Sequence, residues 1–89
     1  RVLHVRCSVG YILNALEPDY GVGTDSSNKQ IIEAQAAYPE LKFIHCNEES
    51  ISIEEKFDYI IISHVEDIVD VKAVLDSIKK CSTRETRII

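Results

Sequence analysis

The stretch "YIIIS", Tyr59 to Ser63, is apolar at four successive positions and does not alternate. A strand with one wet face alternates apolar with polar residues, whereas a strand covered on both faces, as in a parallel sheet, need not. Four apolar, β-branched runs of this kind are present, at Val2–Val5, Tyr20–Gly23, Leu41–His45 and Asp58–Ile62, and a fifth begins at Thr86–Ile89. Helical patterns lie between them. Gly10–Leu16 is short and stops before Pro18, because the residue preceding proline disfavours the helical region. "SNKQ", Ser27 to Gln30, has capping-box spacing and opens a helix carrying Ile31, Ile32, Ala34 and Ala37 that ends by Tyr38. A third helix follows Asp70 as its N-cap and places Val71, Val74, Leu75 and Ile78 on one stripe. Parallel strands require crossover connections, so this order predicts an open, internal, parallel α/β sheet.

At 89 residues and 45% hydrophobic content the chain is long enough for one small domain, residues 1–89, with a modest core. It has no methionine and its first residues already read as core strand, so it is expected to be a piece of a longer chain. A net charge of −5 argues against nucleic acid, since phosphate binding needs clustered Lys and Arg. The basic group Lys79, Lys80, Arg84 and Arg87 reads as a solvated helix end and the loop after it. Cys7, Cys46 and Cys81 have no CxxC spacing, which suggests neither zinc nor a disulfide framework and fits a reducing cytoplasm. There is no long apolar run and no signal-like segment, so neither a membrane span nor secretion is expected. Asn47–Lys56 is the most polar stretch and reads as a loop with one helical turn.

In open α/β sheets ligands bind beyond the carboxyl ends of the strands, where strand order reverses. That rule nominates Arg6–Gly10, Asp25–Ser27, Cys46–Glu49 and Ser63–Glu66. Asp25 ends "YGVGTD", fifteen residues after Gly10, where an acid can accept both hydroxyls of a ribose or cap the helix at Ser27. The "GVG" inside that run reads as close packing within a strand, not as a phosphate loop.

The succession "RVLHV.C..GYILNAL", "YGVGTDSS", "PELKFI" and "EKFDYIIISHVEDIVDVKAVLDSI" resembles the class I S-adenosylmethionine-dependent methyltransferases over essentially the whole chain. The resemblance implies a Rossmann-like, three-layer αβα sheet with strand order 3-2-1-4-5, truncated on its C-terminal side. It implies S-adenosylmethionine as cofactor, with Cys7, Ser8 and Gly10 in the loop around its methionine part. Asp25 with Ser26 would then hold the ribose, Asn47 and Glu48 would flank the adenine, and Ser63 with His64 would lie near the transferred methyl group.

The first loop departs from the family pattern, which has an acid at His4 and glycines at Arg6 and Ser8; only Gly10 matches. Glycine serves there because backbone must approach the ligand closely, often at positive φ. Arg6 adds a cation near a ligand that already carries a sulfonium and an ammonium, and His4 removes a carboxylate partner for that ammonium. Both changes point to weakened cofactor binding, unless Arg6 bends outward or pairs with the ligand's own carboxylate.

His64 is the one candidate general base, being of the side-chain type that titrates near neutrality, with a structural role as the competing reading. Glu66 and Asp67 read as solvated loop charges. Cys7 reads as a buried small residue in preference to a nucleophile, and His45, Cys46 and His64 have no regular metal-ligand spacing, so no metal is expected. The leading function is methyl transfer to an unidentified acceptor. The alternative is a catalytically inactive methyltransferase-like binding or assembly module, and "CSTRETRII" resembles a variant found in methyltransferase domains attached to bacterial sugar-transferring enzymes. A dinucleotide-binding oxidoreductase is the weakest reading, because GxGxxG is missing after the first strand. An open edge at the fifth strand is expected to pair with a second copy or with a continuation of the chain.

Overall fold

The computed structural model describes residues 1–89. Its five strands are β1 (Val2–Val5), β2 (Gly21–Asp25), β3 (Lys42–His45), β4 (Tyr59–Ile62) and β5 (Arg87–Ile88). All neighbours pair in parallel, in the order β3-β2-β1-β4-β5. The expected strand order is therefore the observed one. β2 runs further than the expected Tyr20–Gly23: Thr24 pairs with Val5 of β1 and Asp25 with His45 of β3. The ladders on both sides keep this polar end in the sheet and bring Asp25 to its carboxyl edge.

Three helices are present: α1 (Tyr11–Ala15), α2 (Asn28–Ala37) and α3 (Val71–Ser77). Ser27 caps α2, its Oγ accepting from the Gln30 N–H at 3.3 Å, and Asp70 caps α3, accepting from the Ala73 N–H at 3.0 Å. The capping box is only half made. The Ser27 N–H donates to Asp25 Oδ1 at 2.9 Å, which takes the place expected for the Gln30 side chain.

One face of the sheet packs Cys7, Leu13, Ile31, Ala34 and Phe43, with α1 and α2 as its cover. The other face holds Leu3, Val5, Val22, Ile51, Ile53, Phe57, Ile60, Ile78 and Cys81. The apolar stripes are narrower than the sequence pattern suggests. In α2 Ile31 and Ala34 are buried while Ile32 and Ala37 are exposed, and in the third helical region Val74 and Ile78 are buried while Val71 and Leu75 are exposed. A short helix meets a sheet along one line of side chains, so the flanks of the stripe stay wet.

The polar stretch between β3 and β4 is, as expected, a loop with one helical turn, and it also contributes to the core. After a 3-10 turn at Glu48–Ser50 the chain continues without regular secondary structure, with Ile51, Ile53 and Phe57 buried and Ser52 and Glu54 exposed. Phe57 stacks on Tyr20 with ring centroids 6.4 Å apart, and its N–H donates to the Cys81 carbonyl at 2.9 Å. The second outer layer is thus this crossover plus α3, and burying each of these large side chains contributes about 1.5–3 kcal/mol. No helix is long and apolar enough to cross a membrane.

Candidate functional site

β1 is the central strand, with β2 on one side and β4 on the other. The chain leaves β1 towards β2 and returns through β4, so the crevice between the ends of β1 and β4 is the topological switch point where ligands bind in such sheets.

The loop after β1 carries three left-handed residues, Arg6 (φ 63°), Ser8 (φ 53°) and Gly10 (φ 83°). This conformation costs a non-glycine residue roughly 1–2 kcal/mol. The loop therefore holds a glycine-type backbone although two of its three positive-φ residues are not glycine. Gly10 has no alternative, since a Cβ there would lie 2.7 Å from Phe43 Cζ.

Asp25 holds this loop in place. Its Oδ2 accepts the Ser8 N–H at 3.0 Å while Oδ1 accepts the Ser27 N–H at 2.9 Å. Each oxygen thus spends one lone pair on backbone and keeps another. Cys7 lies beneath, its N–H donating to the Thr24 carbonyl at 2.9 Å, and Gly23 makes room for it, since a Cβ at 23 would sit 2.8 Å from Cys7 Sγ. Burial, with the Asp25 carboxylate adding to it, pushes the Cys7 thiol up to about 12. It packs as a buried thiol, and "GVG" is close packing as expected.

The third segment is built onto the second. His45 Nε2 lies 2.9 Å from the Ser26 carbonyl, and the Cys46 N–H donates to the Asp25 carbonyl at 3.1 Å. Asn47 spends its side-chain oxygen on capping the 3-10 turn, accepting from the Glu49 N–H at 2.8 Å, so its amide N–H₂ is the group left to present. The Glu48 carbonyl accepts from Ser77 Oγ at 2.8 Å.

At the end of β4 the Ser63 N–H donates to the Val5 carbonyl at 3.2 Å, and Ser63 Oγ lies 2.7 Å from Nε2 of His4. His4 is fully enclosed, and its Nδ1 has no partner. Burial, then the neighbouring His64, holds the His4 imidazole below its ordinary pKa, with Asp25 opposing. His64 is exposed and left-handed (φ 56°). Arg6 reaches over from the first loop, its Nη2 4.0 Å from Asp67 Oδ2. Ligand atoms of His64, Glu66 and Asp67 come within 4.8 Å of one another on this exposed turn, and Asp67 already faces the Arg6 guanidinium.

Cys7, Ser8, Gly10 and Asp25 thus form one hydrogen-bonded unit, Ser26 follows Asp25 and meets His45 through its carbonyl, Asn47 and Glu48 adjoin the unit through Cys46, and Ser63 is tied to β1. The sequence marks His4 as a departure from the family pattern but not as the partner of Ser63. The available signal was a polar residue inside an apolar strand, and its partner is known only once β1 and β4 are neighbours.

No protein-family model matches the chain, and no curated protein matches it. Solved structures do. YcgJ of Bacillus subtilis superimposes with a TM-score of 0.87 at 18% identity, covering 99% of this chain and 42% of that one. A protein of Pyrococcus horikoshii OT3 gives 0.86 at 25% identity, covering 98% and 46%. A TehB-like S-adenosylmethionine-dependent methyltransferase of Corynebacterium glutamicum gives 0.84 at 21% identity, covering 98% and 51%. The chain therefore spans about half the length of these proteins.

Proposed function

We propose that this chain, which has the fold of the class I S-adenosylmethionine-dependent methyltransferases, is the cofactor-binding part of an enzyme transferring a methyl group to an acceptor. The observation that carries this reading is the first loop. Arg6, Ser8 and Gly10 all keep positive φ, and the Asp25 carboxylate clamps the loop through the Ser8 N–H at 3.0 Å. Backbone strain of this kind persists only where the surroundings enforce it, and it gathers at ligand sites.

The residues fit an adenosyl cofactor. Asp25, with one lone pair left on each oxygen, would accept the two ribose hydroxyls beside Ser26. The loop Cys7, Ser8 and Gly10 would pack against the methionine part, and the Asn47 amide with Glu48 would flank the adenine. When bound, the cofactor supplies a methyl group on a sulfonium leaving group. The chain's contribution is to position it at the ends of β1 and β4, since holding two reactants in line is a large part of such catalysis. Ser63 stands at that point, and exposed His64 is the candidate to receive a proton from the acceptor.

The partner in this reading is the small-molecule cofactor and not nucleic acid, which the net charge of −5 disfavours. Three free thiols fit a reducing cytoplasm. Residues 1–89 act as one domain, and β5, at the edge of the sheet, offers an unpaired side to a second copy or to further chain.

Isothermal titration with S-adenosylmethionine and S-adenosylhomocysteine tests the proposal. Binding at roughly micromolar Kd, weakened by more than about 10-fold in Asp25→Asn, is the expected result. No heat at millimolar ligand from a chain that circular dichroism shows to be folded would overturn it in favour of a non-catalytic module.

A further inference from the structure

The crevice holds one cation with no hydrogen-bonded partner and one hydroxyl whose polarity is fixed from behind. Arg6 leaves β1 in the left-handed region, and its side chain is only 23% exposed. Its nearest opposite charge, Asp67, is 62% exposed and 4.0 Å away, beyond hydrogen-bond distance. The guanidinium makes no hydrogen bond to another protein group. A largely enclosed guanidinium is seldom left so, because its five donors form a rigid fork suited to a carboxylate or phosphate.

The hydroxyl is that of Ser63. His4 has one ring nitrogen, Nε2, at 2.7 Å from Ser63 Oγ and the other, Nδ1, enclosed without a partner. A neutral imidazole carries one proton, and an orphaned buried N–H is rarer than an under-satisfied acceptor. The network therefore puts the proton on Nε2, which donates to Ser63 Oγ. Ser63 must then direct its own O–H elsewhere. Its backbone N–H is already on Val5, the residue before Arg6, so this donor and the guanidinium belong to the same end of the β1–β4 pair.

We infer that this site reads the amino-acid end of an adenosyl cofactor through its carboxylate, held between the Arg6 guanidinium and the Ser63 hydroxyl. Two donors, one of them cationic, match a carboxylate and repel an ammonium. Asp67, facing Arg6 across 4.0 Å, is then left for the ammonium of the same zwitterion. This assigns a positive role to the arginine that departs from the glycine pattern, and it rests on the functional reading above.

The test compares S-adenosylhomocysteine with its decarboxylated analogue, which keeps the amine, by isothermal titration of the wild-type chain, Arg6→Gly, Arg6→Lys and Ser63→Ala. Glycine suits φ 63°, so Arg6→Gly removes the side chain without straining the backbone, and thermal melts establish that each variant is folded. Wild type is expected to prefer the carboxylate-bearing ligand by roughly 10- to 100-fold, the range for hydrogen bonds to charged groups. Arg6→Gly should abolish that preference by weakening S-adenosylhomocysteine, while the decarboxylated ligand, relieved of a neighbouring cation, binds no more weakly than to wild type; Arg6→Lys should keep part of the preference, and Ser63→Ala should reduce it. Equal losses for both ligands in Arg6→Gly, or tighter binding of S-adenosylhomocysteine, would overturn the inference with the functional reading intact. If wild type binds neither ligand at millimolar concentration, both the inference and that reading fail.

Discussion

His4 and Ser63, 59 residues apart, meet through Nε2 and Oγ at 2.7 Å where the central strand and its neighbour end. The imidazole is held below its ordinary pKa first by burial and then by His64, against the pull of Asp25. Between the folded-state pKa and about pH 6.5 the unfolded chain binds a proton at this position that the folded chain does not, so lowering the pH favours unfolding. The contribution is fully present above about pH 6.5 and is lost as pH falls through the folded-state pKa. Urea midpoints measured at pH 7.5 and 5.5 should therefore drop in the wild type, and drop less in His4→Gln, whose amide can still donate to Ser63 but does not titrate. An equal drop in both would place the pH dependence elsewhere.

Ser8 adopts φ 53° and uses only its backbone N–H to bind Asp25. Relieving left-handed strain of roughly 1–2 kcal/mol is offset by glycine's larger loss of chain entropy, about 0.5–1 kcal/mol. Ser8→Gly should stabilise the chain by about 0.5–1 kcal/mol, and Ser8→Ala, equally strained, should not. Thermal melts of the two variants decide it.

Asp25 has a structural duty besides the proposed ribose contact, because its two oxygens satisfy the Ser8 and Ser27 N–H groups. Asp25→Ala strands both donors and should cost about 1–3 kcal/mol. Asp25→Asn keeps one acceptor and should cost less. In either variant cofactor binding should weaken by more than about 10-fold, and comparing melts with titrations separates lost ligand contacts from a loosened loop.

Phe57 is 2% exposed and stacked on Tyr20 in the middle of the second core. Phe57→Ala should cost about 3–5 kcal/mol, against a total stability of about 5–15 kcal/mol for domains of this kind, whereas Glu54→Ala on the exposed side of the same crossover should change stability by less than about 0.5 kcal/mol. Chemical denaturation of the two variants tests whether this polar-looking segment is a layer of the fold.

Strand and helix positions follow from apolar runs, caps and prolines within a few residues of one another, and Ser27 and Asp70 cap the helices they were expected to cap. The four crevice segments also follow, because once a sheet is open and parallel its carboxyl edge is where loops can meet a ligand. The extent of β2 was less legible, since Thr24 and Asp25 are polar and stay in the sheet only because β1 and β3 flank them.

By itself, then, the sequence determined the kind of sheet and the places where its loops gather, since both rest on short-range periodicity. Only the tertiary structure decided which polar groups face each other. The His4–Ser63 bond, the Arg6–Asp67 approach and the inward turn of Ile51, Ile53 and Phe57 depend on strands and crossovers brought together from distant parts of the chain. Hydrogen bonds are decided by tenths of an ångström, and no local pattern of residue types encodes that separation.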